Sequence, residues 1–418
     1  MVTRGLLHSL LLPLVGLRRI FHLETADDPG LGRLTGGRRA WSRHRFVAWL
    51  RALPAAGVTR FLRQSAPAPR RGPGRGGVVR LSLDEHAVPR WTRKFAIPKG
   101  YHTTRNKHMK VEKLFAGFDL RGRQFLRLWS TRGNVELYQV ARRLAPRLRR
   151  VSGPAHLRLL LDAGAAKADA AVATLLRATP GVTVLLRAPR QPARLRQWQA
   201  LPARAFRTYW DPGPFTGAPP KRLRVAETRT PLKGDGPGER GVRTIVAVEG
   251  PTASRRKDRW HILYVNDERT PASALIHEFR QRQHHEQGYR IGVHDLDLDA
   301  VPSGYAKRSH PHRPTFRPAA LTWAAWTKLL AANLIEALGA QVGGYWRHAH
   351  PRTLRRTFFT RPGTLRETRD ALLVELDWFP EQEALRPLVD ALNRAQVRLP
   401  GPGGRPRRLF MVLAEGRA

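Results

Sequence analysis

The sequence predicts a mixed α/β protein with a helical N-terminal region and a β-rich insertion inside its main sheet. Two observations support this fold class. After residue 77, strand patterns begin: residues 78–83 alternate between apolar and polar residues, and two further strand segments are joined by the hairpin signal Leu-Arg-Gly-Arg. Short apolar strands then alternate with helical segments, which favours a mixed sheet with helices on both faces.

The N-terminal region and a linker come first in the chain. Residues 1–64 have helical patterns, and Ser42 is placed to cap a helix that Pro54 ends. The apolar run at the N-terminus is interrupted by polar residues and lacks a small-residue cleavage site, so we expect a helix of a folded region and no signal peptide. Proline, glycine and arginine dominate residues 65–77, which we interpret as a linker.

The first part of the main sheet is predicted at residues 78–189. Its elements are strands at 78–83, 114–119 and 125–130, a helix at 134–149, a strand at 157–161, a helix at 165–178 and a strand at 181–186. This β-β-β-α-β-α-β order is similar to that of the ribonuclease-H-like core. The predicted fold is therefore a ribonuclease-H-like mixed sheet.

Three further regions follow: a β-rich insertion at 190–270, the last part of the core at 271–340 and a basic α/β region at 341–418. Their predicted strands are 204–210, 222–228, 242–249, 260–266, 371–376 and 408–413, and their predicted helices are 279–290, 319–339 and 380–396. The apolar segment 319–339 carries Lys328 and Glu336. We therefore expect an amphipathic helix there and no membrane span.

The composition indicates a partner of negative charge. The chain has 418 residues, with 75 Lys and Arg against 32 Asp and Glu, for a formal net charge of +43. A field of this sign attracts polyanions, above all nucleic acid. A solubility charge or ribosome association is the alternative interpretation. The chain has no cysteine, which excludes disulfides and thiolate metal sites, and we expect a cytoplasmic location.

Three acidic residues form the candidate catalytic and metal-binding site. Asp84 and Asp162 each follow an apolar strand, and the two strands are neighbours in such a sheet. Glu286 lies on a predicted helix, one turn after Arg282 and one turn before Arg290. Three carboxylates provide the hard oxygen ligands that Mg²⁺ or Mn²⁺ prefers. Two such ions support in-line displacement at a phosphodiester, although each Asp taken singly is also typical of a strand-end turn.

Glu85 is the alternative to Asp84 within the first motif. We prefer Asp84 because we expect it to continue the register of Leu81 and Leu83, whereas Glu85 would point to the opposite face of the strand. Two other metal sites are disfavoured. His284 and His285 are adjacent on a helix and point about 100° apart, which does not suit zinc. The acidic residues of 295–299 lack the glycine and glutamate of a calcium loop.

The helix at 279–290 resembles part of a family signature. The IS-four-like group of DDE transposases, from insertion sequences, carries Tyr-x2-Arg-x3-Glu-x6-Lys on its glutamate helix. This chain has Phe279, Arg282 and Glu286 at the first three positions, and Val293 in place of the lysine. The resemblance extends from about residue 79 to at least residue 340. Segment 294–305 is also similar to a subgroup of these enzymes.

The resemblance implies a DNA transposase that uses Mg²⁺, with Mn²⁺ as a substitute, to cut and join strands at the ends of a mobile element. It implies DNA as partner, both terminal inverted repeats and target DNA, a dimer or higher assembly on that DNA, and no membrane. Because Val293 replaces the lysine, a DNA contact there would come from Arg290 or His294. Arg282 is expected to support Glu286 and to contact a phosphate.

Further DNA contacts are predicted after the first acidic motif. The basic and aromatic stretch that includes Arg93, Lys94 and Lys99 suits a phosphate-tracking surface, and a solvated loop is the alternative. In the family, an aromatic residue of the insertion holds an unstacked base. Trp210 and Trp260 are candidates for that role, with a place in the core as the alternative.

Two other functions share these features. A ribonuclease-H-fold nuclease, or a domesticated transposase, would use the same acidic residues to cut DNA without strand transfer. A non-catalytic nucleic-acid-binding protein would depend on the positive charge alone and would need no metal.

Overall fold

The computed structural model describes residues 2–25, 29–72, 77–92, 96–102, 105–153, 155–177, 181–213, 219–233, 240–251, 257–305, 315–401 and 405–415. The chain divides into two compact units. One unit contains residues 1–65 and 289–418, and the other contains residues 66–288. The division at residue 289 falls within the segment 271–340.

The helices of the described residues are α1 (Val2–Leu14), α2 (Pro29–Leu34), α3 (Arg43–Ala52), α4 (Ala55–Gln64), α5 (Leu137–Ser152), α6 (Asp169–Arg177), α7 (Pro192–Gln199), α8 (Ala272–Arg280), α9 (Gln283–Arg290), α10 (Ala319–Val342), α11 (Pro351–Leu354) and α12 (Arg386–Arg394). The strands are β1 (Val79–Pro89), β2 (Lys99–His102), β3 (Lys107–Asp119), β4 (Gln124–Arg132), β5 (Leu157–Leu161), β6 (Val182–Arg187), β7 (Arg207–Asp211), β8 (Lys221–Thr230), β9 (Val242–Glu249), β10 (Arg259–Val265), β11 (Gly363–Glu367), β12 (Ala371–Leu376), β13 (Arg398–Pro400) and β14 (Pro406–Leu413).

The unit of residues 66–288 is built on a mixed sheet of ten described strands. Nine of them follow the order β2-β3-β1-β5-β6-β10-β9-β8-β7, and β4 pairs with β3. The strands β1, β5 and β6 are parallel, and β10 pairs antiparallel with β6. The β-rich insertion therefore extends the same sheet. The prediction of a mixed sheet is confirmed.

Helices cover both faces of this sheet. One face presents Leu81 and Leu83, which belong to a buried cluster with the apolar residues of α5, α6 and α7. The opposite face presents Arg80, Ser82 and Asp84, whose side chains contact α8 and the segment leading through α9. This is the alternation that strand geometry imposes, because successive side chains point to opposite faces.

Strand β1 is longer than the sequence predicts. The prediction ends the strand at Leu83, whereas β1 continues to Pro89. Its parallel pairing with the short strand β5 does end at Leu83, opposite Leu161. Its antiparallel pairing with the longer strand β3 continues to Pro89, opposite Val111. This pairing keeps the residues after Leu83 in an extended conformation. Asp84 is therefore not at a strand end, although it lies one residue past the last β1–β5 pair.

The single helix predicted at 279–290 is wrong, because α8 ends at Arg280 and α9 begins at Gln283. The backbone between α8 and α9 is wound more tightly than an α-helix. The N–H groups of Gln281, Arg282 and His284 donate to the carbonyls three residues earlier. This segment contains neither proline nor glycine, so local propensity does not explain the break. Side-chain contacts to the sheet on both sides of the break hold it instead.

The other unit has its own core and a second sheet, of order β11-β12-β14-β13. Helix α10 packs against α1, α3, α4 and α11. Trp323 on α10 stacks on Phe61 and donates from Nε1 to the hydroxyl of Ser9 at 2.9 Å. Most of α10 is buried, which corrects the expected amphipathic helix. Within the described part of the chain, no helix has the length and apolarity that a membrane crossing requires.

The cap of α3 is as predicted. Ser42 has extended backbone, and its side chain accepts a hydrogen bond from the backbone N–H of Arg45 at 3.4 Å. The N-terminal helices and the strands of the insertion are also confirmed, to within a few residues at their ends. The hairpin of β3 and β4 is confirmed as well, but β3 begins at Lys107, seven residues before the predicted start at 114. The strands β2, β11 and β13 were not predicted.

Candidate active site

Three carboxylates from separate elements meet at the guanidinium of Arg282, which lies between α8 and α9. Nη1 of Arg282 is 2.6 Å from Oδ2 of Asp84 on β1. Nη2 is 2.6 Å from Oε1 of Glu286 on α9 and 3.7 Å from Oδ2 of Asp162, which follows β5. The parallel register of β1 and β5 places the two aspartates side by side. The predicted trio is therefore brought together, with a cation at its centre.

The cluster is open to solvent on one side. The side chain of Arg282 is 7% exposed and that of Asp84 is 16% exposed. The exposed fraction rises to 33% at Asp162 and to 43% at Glu286. A substrate would therefore approach from the side of Asp162 and Glu286, and Asp84 forms the floor of the site.

The two aspartates have opposite shifts in pKa. Burial raises the pKa of Asp84, and repulsion from Asp162 adds to this, against the opposing effect of Arg282. Burial also disfavours the charge of Asp162, but Arg282, the backbone N–H of Ala163 and Arg187 outweigh it and lower its pKa. Burial opposes the charge of Arg282 as well, but the three carboxylates raise its pKa. Arg282 therefore favours the charged form of both aspartates, whereas burial favours the neutral form of Asp84.

Arg187 is a site residue that sequence reasoning missed. It is the last residue of β6, and its Nη1 lies 3.4 Å from Oδ1 of Asp162. A signal was present, since the carboxyl ends of parallel strands meet at one edge of a sheet. An arginine at the end of the strand beside β5 is thus placed next to Asp162.

A second charged cluster, which we call the anchor, lies below the acidic site. Glu278 on α8 accepts hydrogen bonds from Arg80 on β1 at 2.8 Å and from Arg158 on β5 at 2.7 Å. Arg158 also donates to Asp267 and Thr270 at 2.7 and 3.0 Å. The anchor joins the two strands that carry the aspartates to the helix that leads to Glu286.

The anchor and the acidic site have inverted charges. Arg80 and Arg158 are register partners, and the two aspartates lie four residues further along the same strands. Arg282 lies four residues after Glu278. In the anchor, Glu278 therefore lies between two cations, whereas in the acidic site Arg282 lies between the two aspartates. Both clusters lie on the face of the sheet that the helices α8 and α9 cover.

His285 holds α9 against the sheet. Its ring stacks on Phe118, with centroids 4.9 Å apart and an interplanar angle of 7°. Its Nδ1 lies 3.0 Å from the hydroxyl oxygen of Ser82. Burial, with the adjacent charge of Arg282, lowers the pKa of His285 well below its usual value. The imidazole is therefore a neutral packing group at physiological pH.

The insertion is tied to the same helix. Asp211, at the end of β7, is fully buried. Its carboxylate lies 2.8 Å from Nδ1 of His277 and 2.5 Å from Nη1 of Arg280, both on α8. Strand β7 and the helix α8 are thus linked by the ion pair of Asp211 with Arg280 and by the contact of Asp211 with His277.

The argument from register that favoured Asp84 over Glu85 is wrong, although the structure brings Asp84 to the site. Residues 81, 83 and 85 share one face of β1, because side chains alternate along a strand. Glu85 accordingly points away from the acidic site and lies 3.3 Å from the buried ammonium group of Lys113. Asp84 belongs to the other face, with Arg80 and Ser82.

The predicted DNA contacts are placed as follows. Arg93 and Lys94 lie outside the described residues. Lys99 is the exposed first residue of β2, and Arg290 is the exposed last residue of α9. These DNA contacts stay predictions.

The two candidate tryptophans of the insertion differ in exposure. Trp210 is 62% exposed on β7, opposite Arg222 of β8. Trp260 packs against the main core, as the alternative interpretation proposed. Trp210 is therefore the one of the two whose ring is accessible to a partner.

The donor set suits a divalent ion in its chemistry. The convergent groups are carboxylate oxygens, which Mg²⁺ and Mn²⁺ prefer. Among the described residues, no group of three or more His, Cys, Asp or Glu side chains is arranged to hold a metal ion. Each of the three carboxylates is instead directed at Arg282.

Neither a protein-family model nor a curated protein matches the sequence. Among solved structures, the chain is similar to a cryo-EM structure of the piggyBac transposase synaptic complex with hairpin DNA. The likeness covers 86% of this chain and 70% of that chain, at 11% sequence identity and a TM-score of 0.44. A TM-score of this size does not establish a common fold, so any assignment of function depends on the residues of the site.

Proposed function

We propose that the chain is a DNA transposase of the DDE type, which cleaves DNA at the ends of a mobile element and joins the freed ends to target DNA. The observation that carries the proposal is the convergence of Asp84, Asp162 and Glu286 on one cationic centre. Three carboxylates on one solvent-open site are costly to assemble, because they repel one another. Such a cost is typical of functional sites.

Each residue has a proposed role. Asp84, Asp162 and Glu286 would hold Mg²⁺, with Mn²⁺ as a substitute. Divalent ions held there supply Lewis-acid stabilisation of the attacking and leaving oxygens at a phosphodiester. Arg187 would hold Asp162 in place. The protein provides orientation and charge, and no other nucleophile is required.

The charge of the chain supports DNA as the substrate. A net charge of +43 favours binding to phosphate backbones over a long range. We propose that Lys99 and Arg290, with Arg93 and Lys94, contact the backbone, and that the helical N-terminal region grips the terminal inverted repeats. Synapsis of two ends would require a dimer or a higher assembly on DNA. The IS-four-like group is the proposed family.

A cleavage assay tests the proposal. The substrates are labelled duplexes from the borders of the element and a supercoiled plasmid, incubated with Mg²⁺ or Mn²⁺. Asp162→Asn and Asp84→Asn are expected to abolish cleavage while DNA binding is retained. Glu85→Gln is the matched control, because it changes the adjacent carboxylate on the opposite face, and it should keep activity. Wild-type activity in Asp162→Asn would contradict the proposal.

The same assay separates the alternatives. Joined products between element ends and plasmid indicate strand transfer, as expected of a transposase. Nicked products that depend on Asp162 but never join would indicate a nuclease with the same site. Tight DNA binding without any metal-dependent product would indicate a non-catalytic binding protein.

A further inference from the structure

The guanidinium of Arg282 occupies the centre of the acidic site. Its Nη1 pairs with the carboxylate of Asp84, and its Nη2 pairs with the carboxylates of Glu286 and Asp162. The side chain of Arg282 is 7% exposed, so its charge is largely shielded from solvent, as is the carboxylate of Asp84. A cation in this position offsets the mutual repulsion of the three carboxylates, which would otherwise destabilise the folded state.

A divalent ion and this guanidinium would compete for the same oxygens. Oδ2 of Asp84 and Oε1 of Glu286 each accept a hydrogen bond of 2.6 Å from Arg282. A divalent ion bound at the lone pairs that Arg282 now uses would lie next to the guanidinium, and the two cations would repel each other. The side chains of Asp84 and Glu286 are directed at Arg282.

We propose that Arg282 is the resident cation of the acidic site in the metal-free protein, and that its guanidinium must leave the carboxylates before a divalent ion binds. This inference rests on the proposed function of the trio. Arginine suits both positions, because its planar donors match a carboxylate and a phosphate equally well. The displaced guanidinium becomes available to a phosphate of bound DNA. Arg282 thereby links metal loading to the presence of substrate.

The position of Arg282 in the chain favours such a movement. It lies in the tightened backbone between α8 and α9, rather than inside a continuous helix. The anchor on Glu278 holds α8, and His285 holds α9, through contacts that do not involve the guanidinium. The side chain can therefore change direction while the backbone on each side stays fixed.

The inference predicts the sign of a metal-affinity change. If Arg282 competes with the ion, its removal tightens Mn²⁺ binding. If Arg282 merely orients the carboxylates for the ion, its removal weakens Mn²⁺ binding. The two interpretations therefore give opposite results with one variant.

The experiment is calorimetric titration of Mn²⁺ into the full chain without DNA, at about pH 8, where ordinary carboxylates are ionised. Arg282→Gln is expected to bind Mn²⁺ about tenfold more tightly than the wild type, a change of about 1.4 kcal/mol. Arg229→Gln is the matched control. It removes the same charge from a surface pair, where the partner is the exposed Glu268, and should leave the affinity unchanged.

Thermal unfolding supplies a second measurement. Without metal, Arg282→Gln should melt below the wild type, because three carboxylates lose their cation. Mn²⁺ should raise its melting temperature more than that of the wild type. If Arg282→Gln does not fold, Arg282→Lys replaces it. A lysine lacks the planar, forked donors of the guanidinium and should hold the carboxylates less firmly, so the Mn²⁺ affinity of Arg282→Lys should exceed that of the wild type.

The outcomes separate the inference from the function on which it rests. If Asp162→Asn leaves Mn²⁺ binding unchanged, the trio is not the metal site and the proposed function fails. If Asp162→Asn abolishes binding but the folded Arg282 variants bind Mn²⁺ no more tightly than the wild type, the inference alone is overturned.

Discussion

Glu278 and Arg158 form an ion pair with 2.7 Å between Oε2 and Nη1, and both side chains are about 90% buried. Four residues further along the chain from each lie Arg282, after the end of α8, and Asp162, after the end of β5, which meet in the acidic site. The pair therefore fixes the position of α8, which leads to Glu286, along β5, which precedes Asp162. A catalytic trio assembled from distant segments needs such a fixed reference, because small displacements cost activity.

Glu278→Gln is expected to destabilise the protein and to lower DNA cleavage. It removes the carboxylate shared by Arg80 and the buried Arg158, and because Arg158 keeps Asp267 as its other anion, we expect a loss of about 2 kcal/mol. Denaturant unfolding measures the loss of free energy. Glu268→Gln is the matched control, since Glu268 pairs with Arg229 in the same unit but is 54% exposed. We expect the control to change stability by less than about 1 kcal/mol.

Mn²⁺ binding shows whether Glu278 positions the site or only stabilises the fold. A positioning role predicts weaker Mn²⁺ binding by Glu278→Gln at temperatures where it is fully folded, and partial recovery in Glu278→Asp. Unchanged Mn²⁺ affinity in folded Glu278→Gln would show that the anchor acts on stability alone.

Asp211→Asn is expected to loosen the contact between the insertion and α8. The carboxylate is fully buried between His277 and Arg280, so its loss leaves Arg280 without its anion and costs about 3 kcal/mol. Hydrogen exchange, followed by mass spectrometry, should show faster exchange in β7 and α8 than in the wild type. Asp258→Asn is the control, because Asp258 pairs with Arg224 on the surface at 3.5 Å. Equal exchange in both variants would contradict a specific link.

Lys328 predicts a pH dependence of stability in the other unit. It is buried on α10, and its ammonium group donates to the carbonyls of Arg18 and Asp297 at 2.8 and 2.6 Å. Burial lowers its pKa from 10.5 to about 7, with Asp297 and Asp299 opposing the change and Arg18 and Arg19 adding to it. Between about pH 7 and 10, the unfolded chain therefore binds more protons at this residue than the folded chain.

Stability should accordingly rise with pH across that window, by up to about 1.4 kcal/mol per pH unit from this group. Lys328→Met removes the titrating group and should flatten this part of the profile. Denaturant unfolding of both proteins at several pH values measures the difference between their free energies of unfolding. The contributions of other titrating groups are common to both proteins and cancel in this difference. Parallel profiles for the two proteins would contradict the assignment.

Much of the local structure is predictable from the sequence. The alternation at Leu81 and Leu83, the apolar run before Asp162 and the cap at Ser42 depend on residues within a few positions of each other. The acidic trio and its arginine were also predictable, because a resemblance of motif identifies residue types without any coordinates. Arg187 could have been added from the parallel order of β5 and β6.

The break between α8 and α9, the continuation of β1 past Asp84 and the anchor could not be predicted in this way. Each depends on partners far away in the chain. Glu278 meets Arg158 across 120 residues, and β1 continues because β3 is long enough to pair with it. Local sequence patterns cannot predict such pairs. The periodicity of a helix or strand shows which residues share a face, but not which distant element packs against that face.

The sequence by itself determined the fold class, the strong positive charge and which residues carry the acidic site, since these follow from residue type and short-range spacing. The tertiary structure alone decided which face of β1 each acidic residue takes and which cation the trio shares. Asp84 and Glu85 are adjacent in the chain, but their side chains lie on opposite faces of the sheet. Asp84 pairs with Arg282 and Glu85 pairs with Lys113. The physical reason is that charge pairing in a folded chain is fixed by distance in space, which packing sets.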